Sequence, residues 1–327
     1  MPAFLARRLL LFLVLLVSFS AISFLLIASQ FPSPLHGQSS LDAYGRWLAG
    51  LPSGRSLTRG LVGPIWPQLG PALAHTLVLL ASTGVLVVGG SLVVGTITAA
   101  RRGSLVDLGL RAASYLAWAV PPFLLALLVA ELVTTLGSER GIGPLPIAGW
   151  PGSCPVPLGL NAGSLSPCAP AGHGIHYVAS VAEHMVLPTL ALGAGFIGFH
   201  ARLLRSSLVS SLAAPYTTTA HAKGVPSHLV LLRHALRNSL SAFLAALTSD
   251  FGALFGAALA IDWIFQLNGL GTLFIREFTI NDLQGAGTPV DVYAVEALLL
   301  VTALLLLGTS LVGEAAVATL DPRTRRD

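Results

Sequence analysis

Residues 215–241 read Pro215-Tyr-Thr-Thr-Thr-Ala-His-Ala-Lys-Gly-Val-Pro-Ser-His-Leu-Val-Leu-Leu-Arg-His-Ala-Leu-Arg-Asn-Ser-Leu-Ser241, a polar, basic island between long apolar runs. Its punctuation is that of two short helices. Pro215 suits a first helical position, where its missing N–H would have had no partner. Gly224 can take the left-handed conformation that closes a helix, and Pro226 stops its continuation. Ser227 then reads as the N-cap of a second helix that runs into the next apolar stretch. A helix–glycine–helix elbow lying against a membrane can receive force from a soluble partner.

The rest of the chain supplies the membrane. Of its 327 residues 54% are apolar and 10% charged, where an ordinary globular chain carries roughly a quarter charged residues. Such a composition cannot dress a soluble surface. The net charge of +4 does not indicate nucleic-acid binding, because the basic residues fall in short clusters beside apolar runs, the pattern of membrane topology.

Six apolar segments are long enough to cross a hydrocarbon core, which needs about 20 helical residues. They lie near Leu9–Ala28, Thr76–Ala100, Ala112–Leu136, Met185–Leu204, Leu240–Ile261 and Val290–Val312. The first has Arg7 and Arg8 before it and Ala-Ser-Gln after it, so a cleaved secretory signal is the competing reading; its length favours a full span. With the N-terminus in the cytoplasm and the spans alternating, thirteen basic residues fall inside and five outside. That satisfies the positive-inside rule. The expected organisation is then a cytoplasmic 1–8, a first span 9–28 and an extracytoplasmic loop 29–75. A five-helix core 76–312 and a cytoplasmic tail 313–327 follow. The core carries extracytoplasmic loops 137–184 and 262–289 and a cytoplasmic loop 205–239 containing the elbow. Both termini are cytoplasmic.

The loop 137–184 holds both cysteines, Cys154 and Cys168. In an oxidising compartment they can form a disulfide, and two free thiols are the alternative. His173 and His176 would complete a four-ligand metal set, but in a long irregular loop, so no metal site is assigned. Within the spans, Gly252 and Gly256 form a GxxxG pair, and Gly193, Gly195 and Gly198 crowd the fourth segment, residues that let helix backbones approach. Pro121 and Pro122 are expected to kink the third span. Asp250, near the middle of the fifth, is the best candidate for an intramembrane ionisable group lining a path or pairing with a neighbouring helix. Glu131, Glu183, Glu296 and Glu314 read as nearer the ends, with access to water.

Several chemistries find no support. There is no GxxxxGK[ST] phosphate loop, no HExxH and no GxSxG, so ATP hydrolysis, metalloprotease and serine-hydrolase readings lack their motifs. No catalytic residue is assigned. A proton-coupled carrier would be expected to show more mid-membrane carboxylates and an internal repeat. A secondary carrier or channel and an intramembrane enzyme stand as the rival classes.

The elbow also carries a resemblance. Thr218-Thr219-Ala220-His221-Ala222-Lys223-Gly224, followed by Leu231-Leu232-Arg233-His234-Ala235-Leu236-Arg237-Asn238, resembles the cytoplasmic EAA-type loop of ABC-importer permeases of the dipeptide/oligopeptide/nickel branch. Gly54-Arg55-Ser56-Leu57, His75-Thr76-Leu77, Phe265 with Gly269-Leu270-Gly271, and Asp321-Pro322-Arg323 are similar to further family motifs in the same order. Phe31-Pro32-Ser33-Pro34, Ala242, Asp262 and Asn268 depart from the family pattern, mostly on the outer face.

The resemblance implies an all-α membrane protein with the type I ABC-importer permease fold, in a bacterial or archaeal inner or plasma membrane. It implies a second, related permease, two cytoplasmic ATPase subunits that hold the ATP and Mg, and an extracytoplasmic substrate-binding protein. This chain itself would need no cofactor. The cargo would be short peptides, or nickel or another small solute. Tyr216, Thr218, Thr219, Ala220, His221, Ala222, Lys223 and Gly224 would form the coupling helix in a groove of the ATPase. Arg233, His234, Arg237 and Asn238 would belong to the lever leading into the fifth span.

Overall fold

The computed structural model describes residues 2–30, 39–51, 59–60, 63–140, 149–152, 174–283 and 292–320. Apart from one two-residue antiparallel pair, Arg59–Gly60 with Gly63–Pro64, the regular structure of these residues is helical.

The helix α1, Pro2–Gln30, exposes Leu9, Leu10, Val14, Leu15, Ile22 and Leu26, a surface suited to hydrocarbon. Its other side is packed into the body. Phe24 is fully buried against Tyr44 and Trp47 of α2, Ser40–Gly50, with ring centroids 5.2 and 6.1 Å away. Ser39 caps α2 by accepting the Asp42 N–H at 3.2 Å, the usual use of a hydroxyl at a helix start.

Two long helices form the centre, α3 (Ile65–Ala100) and α6 (Ile175–Leu212). Both extend well beyond the expected apolar runs. Between them in sequence lie α4, Leu105–Ala119, and α5, Pro122–Arg140. The expected kink in the third span is a complete break. Pro121 drives the residue before it out of the helical region, and Val120 is extended, with φ −91° and ψ 122°. Pro122 then opens α5, and the two axes meet at 97°.

The glycines of the fourth segment act as expected of small residues. A Cβ on Gly198 would lie 2.4 Å from Ser114 O, and one on Gly195 3.2 Å from Ala117 O. Helix α4 therefore crosses α6 in backbone contact. Ion pairing fixes the crossing: Arg205 donates to both Asp107 oxygens at 2.8 and 2.7 Å. Arg202 donates to Ser114 O at 2.7 Å and stacks over Tyr115.

Downstream come α7 (Pro215–Ala222), the single turn α8 (Ser227–Leu229), a π-helical stretch Val230–Ala235, α9 (Leu236–Ser249) and α10 (Phe251–Phe265). The expected fifth span is thus two helices, bent by 48° at Asp250. The expected loop 262–289 contains a further helix, α11, Leu270–Leu283. The final helix, α12, is Val292–Leu320. Among the described residues four helices are long and apolar enough to cross a membrane, or six segments if each bent pair is one span.

Glu296 corrects an expectation. It is fully buried near the start of α12 and accepts hydrogen bonds from Ser20 and Ser23 of α1, both at 2.8 Å. The nearness of a helix end did not bring water, because α1 and the aromatic cap of α2 cover it.

Buried apolar side chains divide into two groups. The larger lies toward the start of α3 and includes Leu79, Phe196, Leu254, Phe255 and Ile261. The smaller lies at the opposite end, where Ala99, Leu204, Leu208, Leu231, Ala235 and Phe243 meet. The elbow is attached to the smaller group.

Candidate functional site

The elbow is closed by local hydrogen bonding at both ends. Ala214, extended at φ −75° and ψ 150°, precedes Pro215 at the first helical position. Thr217 is buried and donates to Leu212 O at 2.8 Å and Ala214 O at 2.6 Å, tying α7 back to the end of α6. At the other end Gly224 has φ +78°. Its N–H reaches His221 O at 2.9 Å, and the Val225 N–H reaches Ala220 O at 3.2 Å. This is the Schellman pattern, which satisfies the last carbonyls and turns the chain.

The second half corrects one assignment. Pro226, not Ser227, occupies the cap position, and no side chain bonds there. The ring fixes Pro226 φ at −65°, and with ψ at 145° the residue has the half-in geometry a cap needs, which leaves Ser227 as the first helical residue. The following π-helical stretch is a wide helix of the kind found mostly as short insertions, frequently at functional sites. It lets Val230, Leu231 and Ala235 stay buried while Arg233 and His234 are exposed.

Of the residues proposed to couple, Tyr216, Thr218, Thr219, His221, Ala222, Lys223 and Gly224 are exposed, and Ala220 is half-buried. Tyr216 is 41% exposed, Leu229 40% and Leu232 51%. The elbow thus offers three large apolar or aromatic side chains among polar ones. Among the lever residues, Arg233, His234 and Arg237 are exposed. Asn238 donates to Ser211 Oγ at 3.3 Å, and Ser211 pairs with Ser239 at 3.2 Å, which holds the start of α9 against the end of α6.

The remaining candidates are placed as follows. Asp250 faces His200 of α6, with Oδ2 and Nε2 3.3 Å apart. Gly252 and Gly256 are exposed, and among the described residues no other part of the chain comes within 4 Å of a Cβ built on either. The close helix contact expected of them is not made by the described residues of this chain. Cys154, Cys168 and His173 lie outside the described residues.

At the opposite end of the bundle, motifs far apart in sequence converge. Asp262, buried in α10, accepts from Gly269 N at 2.9 Å and from Thr272 N at 2.8 Å. Thr76 Oγ1 accepts the Leu270 N–H at 2.9 Å. His75 Nδ1 lies 3.1 Å from Asn268 O, and its ring stacks on Trp150 at 3.8 Å. Gly271 is required here by space, since a Cβ would sit 2.0 Å from Leu259 O. Beside this knot, Arg276 hydrogen-bonds Gln68 on the wall of a cleft of about 310 Å³ between α3 and α11. Sequence reading singled out these motifs one by one but not their meeting point. It also missed Ser20 and Ser23, whose signal was a pair of hydroxyls three residues apart in an apolar run.

Comparison with known proteins shows which family the sequence matches. The family described as binding-protein-dependent transport system inner membrane component matches residues 91–326. A Brucella abortus protein named as a peptide transport system permease is 27% identical over 293 residues, covering 89% of this chain and 82% of that protein. The glutathione transport system permease protein GsiC of Salmonella choleraesuis is 34% identical over 118 residues, 36% of this chain and 39% of GsiC. The GsiC of Pectobacterium atrosepticum is 35% identical over 117 residues, 36% of this chain and 38% of its own.

The matched region takes in α4 to α12 and the whole elbow. The chain belongs to the family of binding-protein-dependent transport system inner membrane components. It is an integral inner-membrane protein and a transport component rather than an enzyme. Its partners are a substrate-binding protein and an ATPase.

Proposed function

We propose that this chain is one permease of an ATP-driven importer of short peptides, forming half of a translocation pore with a second, related permease. Six spans cross the membrane, formed by α1, α3, α4 with α5, α6, α9 with α10, and α12, with both termini and the elbow in the cytoplasm. Two ATPase subunits hold ATP and Mg, and each permease receives one of them through its elbow. The peptide cargo rests on the names of the relatives.

The observation that carries this reading is α7. It is a short helix closed at its C-terminal end by its own backbone, anchored at the other through buried Thr217, and exposed along its remaining residues apart from half-buried Ala220. A helix built to be pushed needs this rigidity, because a frayed end would absorb displacement. Tyr216, Leu229 and Leu232 supply apolar contact, and Lys223 with Arg233 supplies charge at the rim.

The test is reconstitution of the complete transporter in vesicles with the binding protein. Uptake of a labelled dipeptide should require ATP and should not be driven by an ion gradient. Uptake without ATP would favour a secondary carrier. ATP-dependent uptake of nickel but no peptide would keep the architecture and change the cargo.

A further inference from the structure

Asp250 stands alone between α9 and α10. At the bend Thr248 and Ser249 both donate to Ala245 O, at 2.8 and 3.1 Å, a back-bonding that bends helices. Gly252 follows two residues on, and Asp250 itself sits at φ −87°, ψ −2°, in the sparsely allowed bridge region. Its backbone still serves both helices: its N–H reaches Ala246 O at 3.0 Å, and its carbonyl accepts from Leu254 N at 3.0 Å. What lies off the helical path is the carboxylate, which meets His200.

His200 is 1% exposed. Its Nδ1 is 2.9 Å from Phe196 O, and a carbonyl only accepts, so Nδ1 carries a proton. Phe199 and Phe243 stand edge-on to the ring, at 86° and 87°, and lock its plane. Nε2 therefore has one orientation, facing Asp250 Oδ2 at 3.3 Å. A neutral imidazole would present a lone pair to a carboxylate. The contact is attractive only with a proton between the two groups, on either one. Neither Nε2 nor Oδ2 has a hydrogen-bond partner in good geometry. Among the described residues no other ion pair involves either side chain.

The position of the pair matters as much as its chemistry. On α6, Phe196 belongs to the larger apolar group and Leu204 to the smaller, and His200 lies between them. On the other side, Phe243 belongs to the smaller group and Leu254 to the larger, with Asp250 between. The pair sits on the seam between the half of the core attached to the elbow and the half attached to the Asp262 knot.

We propose that His200 and Asp250 are positioning residues for energy coupling: together they set the angle between α9 and α10, so that displacement of α7 reaches the helices beyond the seam. Without them the break absorbs the displacement. This rests on the transport reading above. Apolar packing holds each half together, and Leu247 touches both; the His200–Asp250 approach is the polar contact that adds direction to that packing at the seam. Burial of His200 and the two aromatic rings that hold its plane leave the pair little freedom to rearrange, which is what a transmitting joint requires.

The experiment uses the complete transporter in vesicles, with His200→Gln, Asp250→Asn and the double variant. The readout is peptide taken up per ATP hydrolysed. Each single variant should assemble with its ATPases and hydrolyse ATP, while uptake per ATP falls on the order of tenfold. The double variant should be no worse than either single one, because residues acting as one unit are not additive. Unchanged uptake per ATP, or losses that add in the double variant, would overturn the proposal.

A second measurement keeps the joint testable whatever the cargo. Spin labels at positions 242 and 253, both exposed, in a background carrying C154S and C168S, report the α9–α10 separation. His200→Gln should broaden or shift that distance distribution, and an unchanged distribution overturns the role assigned to the pair. A wild-type complex that hydrolyses ATP but takes up no peptide would count against the peptide reading alone, leaving the label result to decide the joint.

Discussion

At Gly224 the left-handed conformation, φ +78°, is what joins α7 to the chain that follows. A β-branched side chain there would cost about 1–2 kcal/mol in backbone strain with no steric obstacle around it, since a Cβ meets nothing within 4 Å. Gly224→Val is therefore expected to insert and assemble while losing uptake, measured as peptide transported against the amount of complex in the membrane. Wild-type coupling in that variant would remove α7 from the mechanism. Lys223→Ala should lose much less, because a single exposed charge contributes about 0–1 kcal/mol. Arg205 is different: its fork spans both oxygens of Asp107 in a mostly buried site. Asp107→Ala leaves that guanidinium unpaired, which typically costs about 3–5 kcal/mol. A marked drop in the melting temperature of the purified complex is the expected result. Arg205→Lys should fall between, since an ammonium cannot reproduce the fork.

Among the elements, those whose ends are set by backbone chemistry were legible. Pro215, Gly224 and Pro226 announce the elbow, and their effects act within a few residues. Ser227 was misplaced by one residue because a proline and a hydroxyl competed for the same cap and no N–H was aimed at the hydroxyl. The 97° break before α5 was legible as a disturbance but not as an angle, because the tandem prolines end one helix and start another and leave the direction to packing. The break at Asp250 is flanked by Thr248, Ser249 and Gly252, residues that weaken a helix but leave the angle to packing. The turn joining α10 to α11 is a test of packing: Gly271→Ala forces a Cβ to 2.0 Å from Leu259 O, an overpacking of about 1–3 kcal/mol. Reduced thermal stability of the transporter, with the elbow and ATPase attachment intact, is the outcome that separates this knot from the elbow. Similarly, Glu296→Leu removes the acceptor of two hydroxyls in the bilayer region, whereas Glu296→Gln keeps one. Protease accessibility of α1 should rise in the first and change little in the second.

For the whole molecule, the sequence alone determined that this is a helical membrane protein, because its apolar content leaves too few charges for a soluble surface. It also determined the elbow, whose local chemistry needs no distant partner, and the family to which the chain belongs. The tertiary structure decided which polar groups inside the apolar body find one another. Ser20 and Glu296 are separated by 276 residues, and Thr76 and Leu270 by 194. Burial of a polar group becomes affordable only when its partner arrives, and no local pattern announces that partner. The same holds for His200 and Asp250. Asp250 reads in sequence as an intramembrane carboxylate that could pair with a neighbouring helix, but only the crossing of α6 over the break between α9 and α10 brings His200 to it and makes them a joint.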